Sequence, residues 1–547
     1  MPTTSDVVVV SFGIVQATPE SRFGQLILNS EIFGELHVDT AMDWNSGTVS
    51  GSLIITSNGV MRVQDAFYKN LLATNVFNYG RVIVASHEWH WESQVVWHNQ
   101  PGSLLEVDTL SGPLALSDAL NATVLNNGTI RIDSPGDVPW RAALENSGVL
   151  QVQSGTLELW DGLLNSGTIA VQSNSLLALK SGTFDLCSGT RTGHVQIRGD
   201  IAIAGGKLCG EIDWVAGTIG GNLEIAMDAV VNVRFAGRIP GLADGTSVTN
   251  FGTVTLEIGW VWGNGVVWHT APQGKVTVVR YGNIQSGLSV PKPVFVNEGE
   301  LVVFDEVDAV VINRGAVTLA GDEDVTFRPG YTQLSGTTRM MGARLTGDVT
   351  LEGGTWYGPG HIYGSLTNRA RLEIDATVGT LLVFGKYFQG VNGALAVTLN
   401  STGSDILLDR VEASYMQGKL EVSLSNGLPA PGQIFTILRT SVRSGEFEHV
   451  SGLGLGNGLR LDVSYDTWTV MLTATRPPQR LTIARGTDGS PAFQFDGDAE
   501  RPFHFQTSTN LMSWQTILST NAPTGIIQLI DPDLANYPCR FYRALYP

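Results

Sequence analysis

Asn126-Asn-Gly-Thr-Ile-Arg-Ile132, Asn146-Ser-Gly-Val-Leu-Gln-Val152 and Asn165-Ser-Gly-Thr-Ile-Ala-Val171 are three versions of one phrase, 20 and 19 residues apart. Asn and Gly tolerate left-handed backbone angles, so Asn-x-Gly reads as a tight corner. The alternation behind it sends every second side chain inward along a strand. The phrase recurs at Asn45, Asn78, Asn250, Asn297 and Asn313, the last two 16 residues apart. A corner and a short strand every 16–22 residues is how a parallel β-helix is written.

A longer duplication lies over that period. Trp44-Asn-Ser-Gly-Thr-Val-Ser-Gly51-Ser-Leu53-Ile-Ile55 matches Trp214-Val-Ala-Gly-Thr-Ile-Gly-Gly221-Asn-Leu223-Glu-Ile225. Asn78-Tyr-Gly80 matches Asn250-Phe-Gly252, and Trp89-x-Trp91 with Trp97-His98 matches Trp260-x-Trp262 with Trp268-His269. The offset stays at 170–172 throughout. A weaker third copy opens at Trp356, with Gly360, Ile362, Gly364 and Leu366 in similar order. Stacked copies of one supersecondary unit share a core that none could bury alone.

Composition agrees with this and excludes several classes. The 547 residues include 64 Gly but only 22 Pro, far from collagen, and 43% are hydrophobic, which rules out wholesale disorder. The net charge of −18, with seven Lys, argues against nucleic acid, which needs a basic footprint. No apolar run reaches the ~18 residues of a membrane helix. MPTTSDVVVVSFGIVQ has no basic residue before Arg22, and its apolar run Val7–Val10 is too short for a signal peptide. The expectation is an exported chain whose leader is removed or missing from this sequence. Cys187, Cys209 and Cys539 exclude a disulfide framework and a four-thiolate zinc site. Buried thiols are the expected state, with a Cys187–Cys209 disulfide across successive coils as the alternative. Phosphate loop, Cys-x-x-Cys, nucleophile elbow and dinucleotide fingerprint are all missing.

The expected organisation is a parallel β-helix over 1–380, with its duplication at 44–108 and 214–280. A β-rich terminating segment at 381–475, a Pro-Pro linker at 476–480 and a small β module at 481–547 follow. Gly432-x-x-Phe435-x-Ile-Leu438, Gly445-x-Phe447, Leu461-x-Val-x-Tyr465 and Val470-x-Leu472 resemble the closing part of autotransporter-type β-helix passengers. The texture of 1–475 resembles bacterial adhesin repeats of that kind. Ser508-Thr-Asn510-Leu511-x-x-Trp514, Asp531-Pro532 and Arg540-Phe-Tyr542-Arg543 resemble a C-terminal module of large secreted proteins of Verrucomicrobia-like bacteria. The resemblance implies export and a β-sandwich-like tail for sorting or attachment, and no chemistry.

Several groups are candidates for chemistry. Trp89, Trp91, Trp97, Trp260, Trp262 and Trp268 could stack on sugar rings, since indole offers a flat apolar face, or they could fill wide coil cross-sections. His87, Glu88 and His90 have no counterpart in the second copy and lack zinc-protease spacing. Asp305, Asp308, Asp322 and Asp324 lie about one coil apart and could share Ca²⁺, or serve as solvated turns; no other cofactor is expected. Tyr357, His361, Tyr363 and Arg369 form the only local group suited to a lyase. Arg198-Gly199-Asp200 matches a cell-receptor tripeptide at near-chance frequency. The proline-bearing stretch 283–295 is the only interruption of the kind a catalytic groove would need.

The fold class read from the sequence is therefore all-β: a right-handed parallel β-helix, a β-rich terminating segment and a β-sandwich-like module. The expected function is a secreted or cell-surface, adhesin-like structural solenoid, monomeric, with polysaccharide or a surface glycan as partner. A polysaccharide lyase or hydrolase is the rival reading, and a non-catalytic carbohydrate-binding array the third.

Overall fold

The computed structural model describes all residues except 1–5, 65–66, 86–87, 92–93, 109–114, 118–121, 236–237, 287–289, 322–323, 402–406, 457, 477–479, 486–490, 497–501, 522–525, 532 and 546–547. Two compact units divide the chain, 1–318 with 325–330 and 319–324 with 331–547. Each is built from short parallel strands stacked coil on coil, as a β-solenoid. Among the described residues the only helical segments are two three-residue 3-10 turns.

In the first unit the alternating pattern fixes the register. Gln25–Leu28, Ala41–Trp44, Val60–Val63, Arg81–Val84 and Leu104–Val107 pair in parallel, rung by rung, and continue into Thr129–Trp140 and Val149–Leu159. Their inward residues form columns such as Leu26–Met42–Met61–Val82–Leu105–Ile130–Leu150, each no more than 1% exposed. Burying such a side chain stabilises by roughly 1.5–3 kcal/mol, and each coil supplies cover for the next.

Each coil has three walls. Early in the unit the second and third walls are joined in long strands such as Gly47–Ile55, whose pairing with Lys69–Asn78 shifts register after Gly51. Later the three walls are separate sheets. The third wall runs without a break from Trp97 through Val124, Leu144, Leu163 and Phe184 to Ile203. It continues from Ile201 through Ile219 and Leu242 to Trp262. Similarly, the column of Trp214 traces back through Ile197, Leu179 and Leu159 to Trp140, whereas that of Trp44 leads to Ile132.

All the corner asparagines of the recurring phrase except Asn45 are buried. Asn78, Asn99, Asn126, Asn146 and Asn165 are buried and form one amide ladder. Each Nδ2 donates to the Oδ1 of the next at 2.6–2.8 Å. The last amide ends on the Ser188 carbonyl at 2.8 Å. Asn297 and Asn313 repeat the contact at 2.9 Å. This resolves how a buried polar group is tolerated in an apolar core: it is hydrogen-bonded along the stack.

The glycines correct one expectation. Of the eight that follow these corner asparagines, only Gly47 has a left-handed φ. At the others a Cβ would fall on a carbonyl oxygen of the coil beneath, Gly148 over Gly128 and Gly167 over Gly148 among them. Small size, for close approach of backbones, is what these corners require. Among the glycines with left-handed φ are two duplicated pairs: 88° and 84° at Gly47 and Gly217, 97° and 89° at Gly51 and Gly221.

In the second unit parallel stacking runs on through the expected terminating segment: Arg371–Asp375, Ala394–Leu399, Lys419–Leu424 and His449–Ser451 continue one sheet. The longer strands widen a wall without changing its partners. Apart from a single bridge between Ala320 and Gly342, antiparallel pairing begins where Ile434–Thr440 and Leu459–Tyr465 meet Thr469–Thr475. Linker residues 477–479 lie outside the described residues. Beyond them, two three-stranded antiparallel sheets enclose Phe493, Phe495, Phe503 and Phe505.

Candidate functional site

The structure puts all six candidate tryptophans inside. Trp89, Trp91, Trp97, Trp260, Trp262 and Trp268 are 0–2% exposed, so none offers a face to a sugar. The glycan-contact expectation is corrected at these positions. Alternation identifies one face of a strand but not which face is interior.

The two clusters are near-copies in space. Trp89 meets Trp91 at 5.1 Å and 82°, and Trp260 meets Trp262 at 5.6 Å and 82°. Trp91 stacks on Trp97 at 13°, Trp262 on Trp268 at 19°. Trp44 and Trp214 close each cluster edge-on. Six indole N–H groups there, on Trp44, Trp89, Trp91, Trp97, Trp260 and Trp262, have no conventional acceptor. Edge-to-face packing directs ring edges toward neighbouring π faces, a weaker substitute. The third copy is reduced to Trp356 against Tyr331.

The acidic candidates are engaged locally. Asp308 pairs with Lys292 at 3.0 Å and accepts from Ser286 Oγ at 2.6 Å, tying down the 283–295 stretch. Asp305 accepts the backbone N–H of Tyr281 and of Glu306. Asp324 lies 3.9 Å from Arg344, and Asp322 and Glu323 lie outside the described residues. Among the described residues no three His, Cys, Asp or Glu side chains converge to hold a cation. His87 and the side chain of Glu88 also lie outside what the structure describes.

The lyase group is not assembled. Tyr357 is on one sheet, His361 and Tyr363 on another, and Arg369, beyond a third, pairs with Glu352. In Arg198-Gly199-Asp200, the arginine bonds Gln196 and the aspartate accepts from Thr218 N–H.

Cys187 and Cys209 form a disulfide between successive coils, with Cα atoms 5.2 Å apart, correcting the expected free thiols. Asp185 holds the loop by accepting the N–H groups of Cys187 and Ser188, both at 2.9 Å. Burial alone would raise the Asp185 pKa; the Ser188 side chain first, then these N–H bonds, outweigh it and lower it. On the first wall, Glu106 sits between Arg81, at 2.6 Å, and Arg131. Burial opposes its ionisation, yet the two guanidiniums prevail and hold the carboxyl below its ordinary value.

One concavity was not anticipated. A groove of about 870 Å³ lies in the second unit, over Thr337–Met341, Thr355–Tyr357, Arg371–Asp375, Ala394–Leu399 and Lys419–Leu424. Arg339, Tyr357, Glu373, Ala396 and Glu421 occupy one row across these strands. Arg371 lies over the small Ala394 and Ala396, donating from Nε to Glu373 at 2.5 Å and from Nη1 to Glu421. Glu373 first, then Glu421, raise the Arg371 pKa against the opposing effect of burial. Asp375, Thr398 and Ser423 form the adjacent row. Coil spacing could have found these rows, but only once the walls were in register.

In the C-terminal module the motif residues have structural partners. Asp531 is buried and accepts from Arg540 Nη1 at 2.8 and 2.9 Å and from Tyr542 Oη at 2.8 Å. Burial, then Asp531, pushes the Tyr542 pKa well up. Asn510 Oδ1 accepts the N–H groups of Met512 and Ser513, and Arg543 covers the Trp514 ring at 4.1 Å. The motif encodes a buried ion pair and a turn.

No protein-family model matches this chain, and no curated protein is significantly similar to it.

Proposed function

We propose that this chain is a secreted or cell-surface, adhesin-like scaffold, a stiff solenoid that displays its outer walls. One observation carries the reading: the residues that stand out chemically in the sequence are building material. The tryptophans fill coils, the asparagines hydrogen-bond along the stack, and the C-terminal motif locks its own module. The Cys187–Cys209 disulfide supports export, because such bonds persist in oxidising compartments.

The test combines localisation with chemistry. Fractionation of the producing cells, with thiol labelling under denaturing conditions, is expected to recover the chain outside the cytoplasm with one labelled cysteine, Cys539. Incubation with acidic and neutral polysaccharides is expected to release no unsaturated or reducing ends. A cytoplasmic chain with three labelled thiols, or product release, overturns the reading.

A further inference from the structure

The groove of the second unit has no part in the scaffold reading, and its lining is suited to a ligand. We infer that it binds a linear, neutral polysaccharide laid across the rungs of the sheet.

The first reason is spacing. Parallel strands present equivalent positions about every 4.8 Å, close to the length of one pyranose unit. The row Arg339, Tyr357, Glu373, Ala396, Glu421 therefore offers a repeating set of contacts to a repeating polymer.

The second reason is the division of the lining. One flank is apolar, with Met341, Pro359 and Val378, the last 62% exposed. The floor carries carboxylates, guanidinium groups and the hydroxyls of Thr398 and Ser423. A pyranose has the same division, C–H groups on its faces and hydroxyls around its rim. Sites that take small polar ligands pair an apolar wall with a few placed polar groups.

The third reason is uncommitted donors. Among the described residues neither the Arg339 guanidinium nor the Tyr357 hydroxyl has a hydrogen-bond or ion-pair partner, although they are register neighbours. Glu373 and Glu421 are already held by Arg371 but retain lone pairs for vicinal hydroxyls.

Charge selects the class of polymer. Two guanidiniums face three carboxylates, Glu373, Asp375 and Glu421, so the groove does not favour a polyanion. No bond is made or broken in this proposal.

Affinity electrophoresis of the full chain tests it. Native gels carry arabinoxylan, mixed-linkage β-glucan, galactomannan or hydroxyethylcellulose as neutral probes, and alginate or polygalacturonate as acidic ones. At least one neutral polymer is expected to retard the protein. Ala396→Trp, which crowds the floor of the groove beneath Arg371, and Tyr357→Ala are each expected to weaken that retardation at least about tenfold, the loss of roughly one good contact. Phe384→Ala, at an exposed ring outside the groove, is expected to leave it unchanged. Circular dichroism checks each variant, and Arg339→Ala replaces Ala396→Trp if the latter fails to fold. No retardation by any neutral polymer, retention by the acidic polymers alone, or undiminished retention in the folded groove variants overturns the inference. Product release and compartment, which test the scaffold reading, are separate readouts.

Discussion

Replacing Asn126 with alanine cuts the five-rung amide ladder in its middle. In the native chain Asn126 accepts from Asn99 at 2.8 Å and donates to Asn146 Oδ1 at 2.6 Å and to the Val149 carbonyl at 3.1 Å. The Asn99 amide keeps its bond to the Thr129 carbonyl, at 3.0 Å. The Asn146 Oδ1 loses its ladder donor and stays buried. An orphaned buried acceptor costs about 1–3 kcal/mol, and each other lost bond about 1 kcal/mol. The sum is roughly 3–5 kcal/mol, concentrated in the coils on either side. A solenoid unfolds by neighbouring units, so one global melting temperature would dilute the effect. Hydrogen exchange read by mass spectrometry localises it. Peptides spanning 123–126 and 143–146 should exchange at least about 10²-fold faster, while those spanning 25–44 should not change. The control is Asn127→Ala, one position along and exposed. If the two substitutions lie within about 0.5 kcal/mol of each other, the ladder contributes nothing specific and the argument fails.

Three further outcomes follow from the same geometry. Gly148→Ala places a Cβ on the Gly128 carbonyl and should destabilise by at least about 2 kcal/mol in urea titration, whereas Gly136→Ala, with nothing near its Cβ, should lie within about 0.5 kcal/mol of wild type. Reducing the Cys187–Cys209 bond, which closes a 22-residue span, should lower local stability by about 3 kcal/mol and expose the segment to limited proteolysis; Cys209→Ser should show no such dependence on reductant. Because the folded pKa of Glu106 lies below its ordinary 4.5, its contribution is complete above that pH and is lost as pH falls through the folded value; Glu106→Gln should flatten the acid limb of stability, and equal slopes below pH 4.5 would contradict this.

The sequence disclosed the solenoid because stacking forces periodicity. A corner such as Asn146-Ser-Gly148 must recur wherever a coil closes over another, and its alternating tail must recur with it. The duplication was visible for the same reason, since Trp44 and Trp214 each fix the size of a core cross-section. Three things were hidden. Period-two alternation is unchanged when inside and outside are exchanged, so Trp89 and Trp260 could be read as a display. The corner glycines look alike whether chosen for handedness or for a missing Cβ, and only the carbonyl beneath Gly148 distinguishes these. The groove was hidden because Arg339, Tyr357 and Glu421 are far apart in the chain and unremarkable alone. They become one row only through strand register, which the residues between them do not spell out.

The unbroken third wall from Trp97 to Trp262 carries one more consequence. Trp262 is the counterpart of Trp91, not of Trp97, so the second copy does not sit squarely above the first. It has been advanced by one wall, about a third of a turn around the axis. The duplicated block is therefore not a whole number of coils, and one sequence block has been built onto two different sets of walls. Outward residues that the copies share face different directions. A flat partner pressed against one side meets a single copy, and simultaneous engagement of both by one surface is geometrically forbidden. Whatever outward chemistry the two copies share is thus presented in two directions about a third of a turn apart.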